Sequence, residues 1–127
     1  MLKYISGPNY INASTIDVPI YRMAEVYLNY AEAKAELGTL TQDDLDHSVN
    51  LIRDRVGMPH LNKSAANANP DPFLTSELYG YKNVDSGSNK GVILEIRRER
   101  SIEMVSEGIR FSDLCRWREG QLLAQPF

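Results

Sequence analysis

Apolar residues recur at helical rather than strand spacing along most of the chain. At about 100° per residue, Ile20, Met23, Ala24, Tyr27, Ala31 and Ala35 fall on one side of a helix. Val26, Tyr30, Ala33 and Leu37 make a second, smaller apolar side, and Arg22, Glu25, Asn29, Glu32 and Glu36 cluster as polar. Pro19 suits the first helical position, where its missing N–H costs nothing, and Gly38 suits the left-handed position past the end. The pattern therefore predicts a helix over about 19–37. A narrower stripe of Leu45, Val49, Ile52 and Val56 predicts a second helix over about 41–56, with Thr41 as N-cap and Asp43 and Asp44 in the positive first turn. Two more follow, over about 90–106 and 111–119, the latter with Ser112 as a possible cap. The stretch 57–91 is irregular, rich in Asn, Pro and Gly, with room for a short helix near Thr75–Tyr79. Residues 1–18, including the turn signal Gly7-Pro8-Asn9, read as extended or looped. No strand alternation persists, so the predicted class is all-α: two antiparallel helix hairpins separated by a long irregular loop.

Charge changes the picture between Val92 and Gly120. Six arginines and six acids crowd this stretch with no lysine among them, although the chain has five elsewhere. Arginine presents a planar fork that meets carboxylates at two points and tolerates burial better than lysine. Glu95, Glu99, Glu103 and Glu107 form one acidic stripe, flanked by Ile93, Ile96 and Met104 on one side and Leu94, Ile102 and Val105 on the other. Like charges at this spacing oppose each other by roughly 0.2–0.5 kcal/mol per pair, so arginines from neighbouring helices are expected to meet the stripe. A helix apolar on two sides is central. Paired carboxylates can also serve glycoside hydrolysis. The matched numbers favour a structural ion-pair network built from Glu95, Arg97, Arg98, Glu99, Arg100, Glu103, Arg110, Asp113 and Arg116, with no catalytic residue assigned.

Composition sets the remaining bounds. At 127 residues the chain is one domain or a piece of one, and 43% hydrophobic residues allow a core. A net charge of −3 without a basic block argues against nucleic acid as a partner. No apolar run approaches the ~20 residues of a membrane helix. No signal peptide is visible at Met1. The lone Cys115 has no internal disulfide partner and reads as a small core residue; two histidines, His47 and His60, make no zinc site. Asp43, Asp44 and Asp46 lack the Gly and closing Glu of a calcium loop. No phosphate loop, nucleophile elbow or HExxH motif is present, so no metal, cofactor or enzymatic activity is assigned.

Aromatic residues supply the candidate binding chemistry. An aromatic face packs on the C–H face of a pyranose, and amides bond its hydroxyls. Tyr79, Tyr81 and Asn83 sit in the irregular loop, with Asp85 and Asn89 nearby, and binding residues concentrate in loops on rigid scaffolds. Trp117 lies between two arginines in a charged helix, where core or cation–π packing is the stronger reading.

Three blocks, DVPIYRMAEVYLNYAEAKAELG (17–38), VNLIRDRVGMP (49–59) and ILEIRRERSIEMVSEGIRFSDLCRW (93–117), resemble the C-terminal part of SusD/RagB proteins, surface glycan-binding lipoproteins of Bacteroidetes. The resemblance implies a tetratricopeptide-like helical scaffold and non-catalytic capture of starch-like or other oligosaccharides at the outer membrane. It also implies a SusC-like TonB-dependent transporter as partner. Such proteins begin with a signal peptide and a lipidated cysteine and carry a long N-terminal half. The expectation is thus a C-terminal fragment, attached to the membrane only through an anchor outside this chain and open to self-association through Tyr30, Ala33 and Leu37. Ala-rich hairpins also resemble tetratricopeptide repeats, so a module binding a peptide or partner helix is the alternative.

Overall fold

The computed structural model describes residues 20–84 and 87–124. Pro19, the Gly7-Pro8-Asn9 signal and Asp85 lie outside them. The described residues are helical, with no strand among them. The helices are α1 (Met23–Glu36), α2 (Gln42–Asp46), α3 (Val49–Arg55), α4 (Lys63–Ala68), α5 (Lys90–Glu103) and α6 (Arg110–Arg116). Short 3-10 turns occupy Gly87–Asn89 and Gly120–Leu123. None of these helices is long and apolar enough to cross a membrane.

The first helix starts later than its pattern predicts. Arg22 is extended at φ −126° and ψ 143°, and Ile20, Tyr21 and Met23 face water. A long-range pair overrides local propensity here. Arg22 Nη1 donates to Glu103 Oε1 at 2.7 Å, and its Nη2 donates to the Glu103 carbonyl at 3.0 Å and to Glu107 Oε1 at 2.5 Å. Farther along, the buried side of α1 is Leu28, Ala31, Glu32 and Ala35, so Leu28 and the acid Glu32 point inward against the expected faces. Val26, Tyr30 and Leu37 are exposed. Gly38 ends the helix with φ +75°, as its placement predicts.

The predicted second helix is two. Thr41 caps α2 through a reciprocal box: Asp44 N donates to Thr41 Oγ1 at 3.1 Å, and Thr41 N donates to Asp44 Oδ2 at 2.8 Å. The helix then breaks at Ser48, whose φ/ψ of −140°/−92° is not helical and whose hydroxyl donates to the Asp44 carbonyl at 2.5 Å. Asp44 also accepts from Tyr30 Oη at 2.6 Å and Lys34 Nζ at 2.9 Å, fastening α2 to α1. The Tyr30 bond first, then Lys34 and Thr41, hold its carboxyl well below the usual 3.8. A depressed folded-state value contributes stability above the unfolded value, and that contribution is lost as pH falls through the folded one. Urea midpoints should therefore drop between about pH 4 and pH 2, and Asp44→Asn should flatten that drop. An unchanged slope in the variant would remove Asp44 from the acid response.

The irregular stretch 57–91 contains more order than expected. Asn62 accepts from Ala65 N at 2.9 Å and caps α4. Where a short helix was expected, at 75–79, the backbone forms turns, closed by Gly80 N to Ser76 O at 3.0 Å and Tyr81 N to Leu74 O at 2.9 Å.

Helix α5 is the centre. Val92, Ile93, Leu94 and Ile96 are fully buried, and α5 packs chiefly against α1 and α4. It ends at Glu103, short of 106, because Ser106 and Gly108 take positive φ. Ile102 and Val105, expected on an apolar side, are exposed. In α6, Asp113 and Leu114 turn inward with Trp117 behind them, which leaves Cys115 exposed rather than in the core. Ile109, not Ser112, occupies the N-cap position, without a side-chain cap bond.

Candidate functional site

Two arrangements bear on function: the charged network around α5, and a groove between α5 and the turns at 72–81.

Arginines from α3 and the entry to α1 meet the acidic stripe. Arg53 Nη2 lies 2.5 Å from Glu99 Oε1 and 3.5 Å from Glu95 Oε2. Arg55 reaches Glu103 at 2.6 Å, and Arg22 spans Glu103 and Glu107. Within the block, Arg98 pairs with Glu95 and, at 2.9 Å, with Asp71. Arg100 Nε donates to Asp113 Oδ2 at 2.7 Å and its Nη1 to Asn29 Oδ1 at 2.7 Å. Arg116 forks onto Glu32 at 2.5 and 2.7 Å, and Trp117 Nε1 donates to the same carboxylate at 2.5 Å.

Arg97 sits differently. It is buried, 3.4 Å from Glu36 and 3.5 Å from Glu119, and its Nε and Nη1 lack hydrogen-bond partners. Its guanidinium lies 4.9 Å from the Trp117 ring centre and 5.7 Å from that of Tyr81. Cation–π attraction replaces part of the lost hydration. Burial, the largest influence, pulls its pKa down. Burial likewise pushes the Glu95 carboxyl up, against Arg98 and Arg53. The guanidinium–carboxylate pairs tie α5 to α3, to α6 and to the entry of α1.

Arg110 bonds no carboxylate among the described residues. Its Nη1 donates to Ser101 Oγ at 2.6 Å and to Tyr81 Oη at 3.2 Å.

The groove has a volume of about 460 Å³. Phe73 and Tyr79 line it, 62% and 50% exposed, with ring centroids 6.1 Å apart and planes 15° from parallel. Leu74, Tyr81, Ile102 and Leu122 add apolar lining, and Arg98, Ser101 and Arg110 supply polar groups. Tyr81 is buried, edge-on to Trp117 at 5.6 Å, so its ring supports the groove and its hydroxyl serves Ser101 and Arg110.

The three loop candidates thus divide. Tyr79 and Tyr81 share the groove. Asn83 lines a different hollow of about 580 Å³, with Glu32, Glu36, Arg97, Arg116, Trp117 and Arg118. There Asn83 N donates to Glu119 Oε1 at 2.7 Å and Asn83 Nδ2 to the Arg118 carbonyl at 2.7 Å. Glu119, fully buried, also accepts from Lys82 N at 3.1 Å and ties the loop to the chain's end. Asn89 is buried and bonded to the Ala35 carbonyl at 3.2 Å, and Trp117 is 4% exposed, so neither offers a free face. Phe73 is the groove aromatic that was not among the binding candidates. Its pairing with Tyr79 depends on the turn that brings two rings six positions apart into register.

The family model of the SusD family matches residues 1–125. No curated protein and no solved structure matches the chain. A match over nearly the whole length, on a chain whose described residues form helices and no strand, decides its kinship: the chain belongs to the SusD family, whose members are generally non-catalytic, outer-membrane-associated proteins that bind glycans for nutrient uptake.

Proposed function

We propose that this chain serves oligosaccharide capture for nutrient uptake, mostly as tetratricopeptide-like scaffold, with its binding surface in the 72–81 turns. Within this reading the full-length protein works at the cell surface, held to the outer membrane by a lipid anchor. It passes starch-like or other glycans to a SusC-like TonB-dependent transporter. Family membership supports the role. The observation that carries the site is the exposed, stacked Phe73–Tyr79 pair beside the groove. Two rings held nearly parallel offer a continuous electron-rich platform whose burial against water is favourable and whose ordering is already complete. Screening the chain on a glycan array should give binding that Phe73→Ala and Tyr79→Ala each weaken roughly tenfold. Both rings are exposed, so thermal stability should change by no more than about 0.5 kcal/mol. Absence of glycan binding, together with a stable peptide complex in a pull-down, would replace this reading with a peptide-binding module.

A further inference from the structure

The groove's polar side carries an uncompensated charge. Arg98 spends its fork on Asp71 and Glu95. Arg110 does not: among the described residues, no carboxylate lies within the 4.0 Å of an ion pair, and the side chain is exposed at the groove.

The guanidinium is nonetheless held in place. Ser101 Oγ donates its own proton to the Arg97 carbonyl at 2.7 Å, which leaves its lone pairs to accept from Tyr81 Oη at 3.0 Å and from Arg110 Nη1 at 2.6 Å. Arg110 Nη1 also reaches Tyr81 Oη, and the guanidinium carbon lies 5.8 Å from the ring centres of both Tyr81 and Trp117. One nitrogen is therefore committed to two hydroxyls, while Nε and Nη2 have no bond to any described residue. Those two N–H groups form the parallel edge that matches the two oxygens of a carboxylate. The entropy of fixing the side chain is already met by the hydroxyl contacts, so the edge is preorganised.

We infer that the groove selects saccharides bearing a carboxylate, such as uronic acids. The sugar ring packs on Phe73 and Tyr79, and the carboxylate takes the Nε–Nη2 edge of Arg110. The volume, about 460 Å³, falls in the roughly 300–1,000 Å³ range of small-ligand sites. This inference rests on the glycan-capture reading and narrows it to a chemical class.

The test is calorimetric titration of the full chain at low salt with tetragalacturonate, tetramannuronate, their methyl esters, and neutral maltotetraose. At least one acid should bind about ten- to hundredfold more tightly than its ester, the range of a charge-assisted bond. Arg110→Gln should abolish that difference. Arg110→Lys, which keeps the charge and loses the fork, should retain only part of it. Added salt should weaken the acid and spare the ester. The ester comparison needs no substitution, so it holds even if a variant folds poorly. Equal binding of acid and ester, or an acid preference that survives Arg110→Gln, overturns the inference and leaves glycan capture standing. Failure of every saccharide, neutral and acidic, removes glycan capture at this groove as well.

Discussion

Replacing Arg100 with methionine is expected to lower folding stability by about 3 kcal/mol, the lower end of the roughly 3–5 kcal/mol for a buried ion pair broken on one side. Arg100 and Asp113 are 5% and 3% exposed and meet at 2.7 Å, while the other arm of Arg100 holds Asn29 of α1. One side chain therefore ties α5 to both α6 and α1. The loss is not larger because Asp113 keeps Arg116 Nε at 2.9 Å. Adding Asp113→Leu should recover most of the stability, since a well-packed apolar pair often matches a buried ion pair. Arg116 would still have its fork on Glu32. Urea denaturation of the single and double variants reads this directly; a single variant as stable as the parent would mean that the contact contributes nothing.

Gly91→Ala is the second large effect, with an expected cost of about 2–4 kcal/mol. A β-carbon at Gly91 would stand 1.9 Å from the Ala66 carbonyl oxygen, 2.5 Å from its carbon and 2.8 Å from Asn67 Cα. All three are backbone atoms, so α4 has to move away from α5. Overpacking of this kind costs about 1–3 kcal/mol, and the shift also endangers the bond from Val92 N to Asn67 Oδ1 at 2.8 Å. Gly120→Ala is the control: nothing lies within 4 Å of the added carbon and φ is not positive, so the change should stay within about 0.5 kcal/mol. A denaturation midpoint for Gly91→Ala equal to that of Gly120→Ala would contradict the close approach of α4 and α5.

What the sequence conveyed was local. Thr41 and Gly38 mark their helix ends because capping and positive φ act within a few residues. The central place of α5 was legible from apolar residues on both sides of its acidic stripe. The partners of that stripe were not. Glu107 meets Arg22 from 85 positions away, and the same contact draws the entry to α1 out of its helical pattern. The break at Ser48 turns on one hydroxyl choosing a carbonyl, which an apolar stripe running through Leu45, Val49 and Ile52 conceals. Helix α4 has six residues and buries none of them, so no periodicity announces it. At the groove, Tyr79 was visible as a loop aromatic. The stacking of Phe73 on it, the burial of Tyr81 and the commitment of Asn83 to the Arg118 carbonyl all depend on how the turns close. Arg110, counted by composition among the paired arginines, is held by hydroxyls instead.

The central claim is that the carboxylate-paired arginines between Val92 and Gly120 build the fold, while the groove beside them, with Arg110 at its edge, binds. The melting temperature of Arg100→Met, measured by scanning calorimetry with and without a saccharide that the parent chain binds, tests it most directly. The account predicts a fall of roughly 10 °C in the unliganded variant, with the ligand-induced rise preserved. A melting temperature equal to the parent's, with the ligand-induced rise abolished, would contradict it.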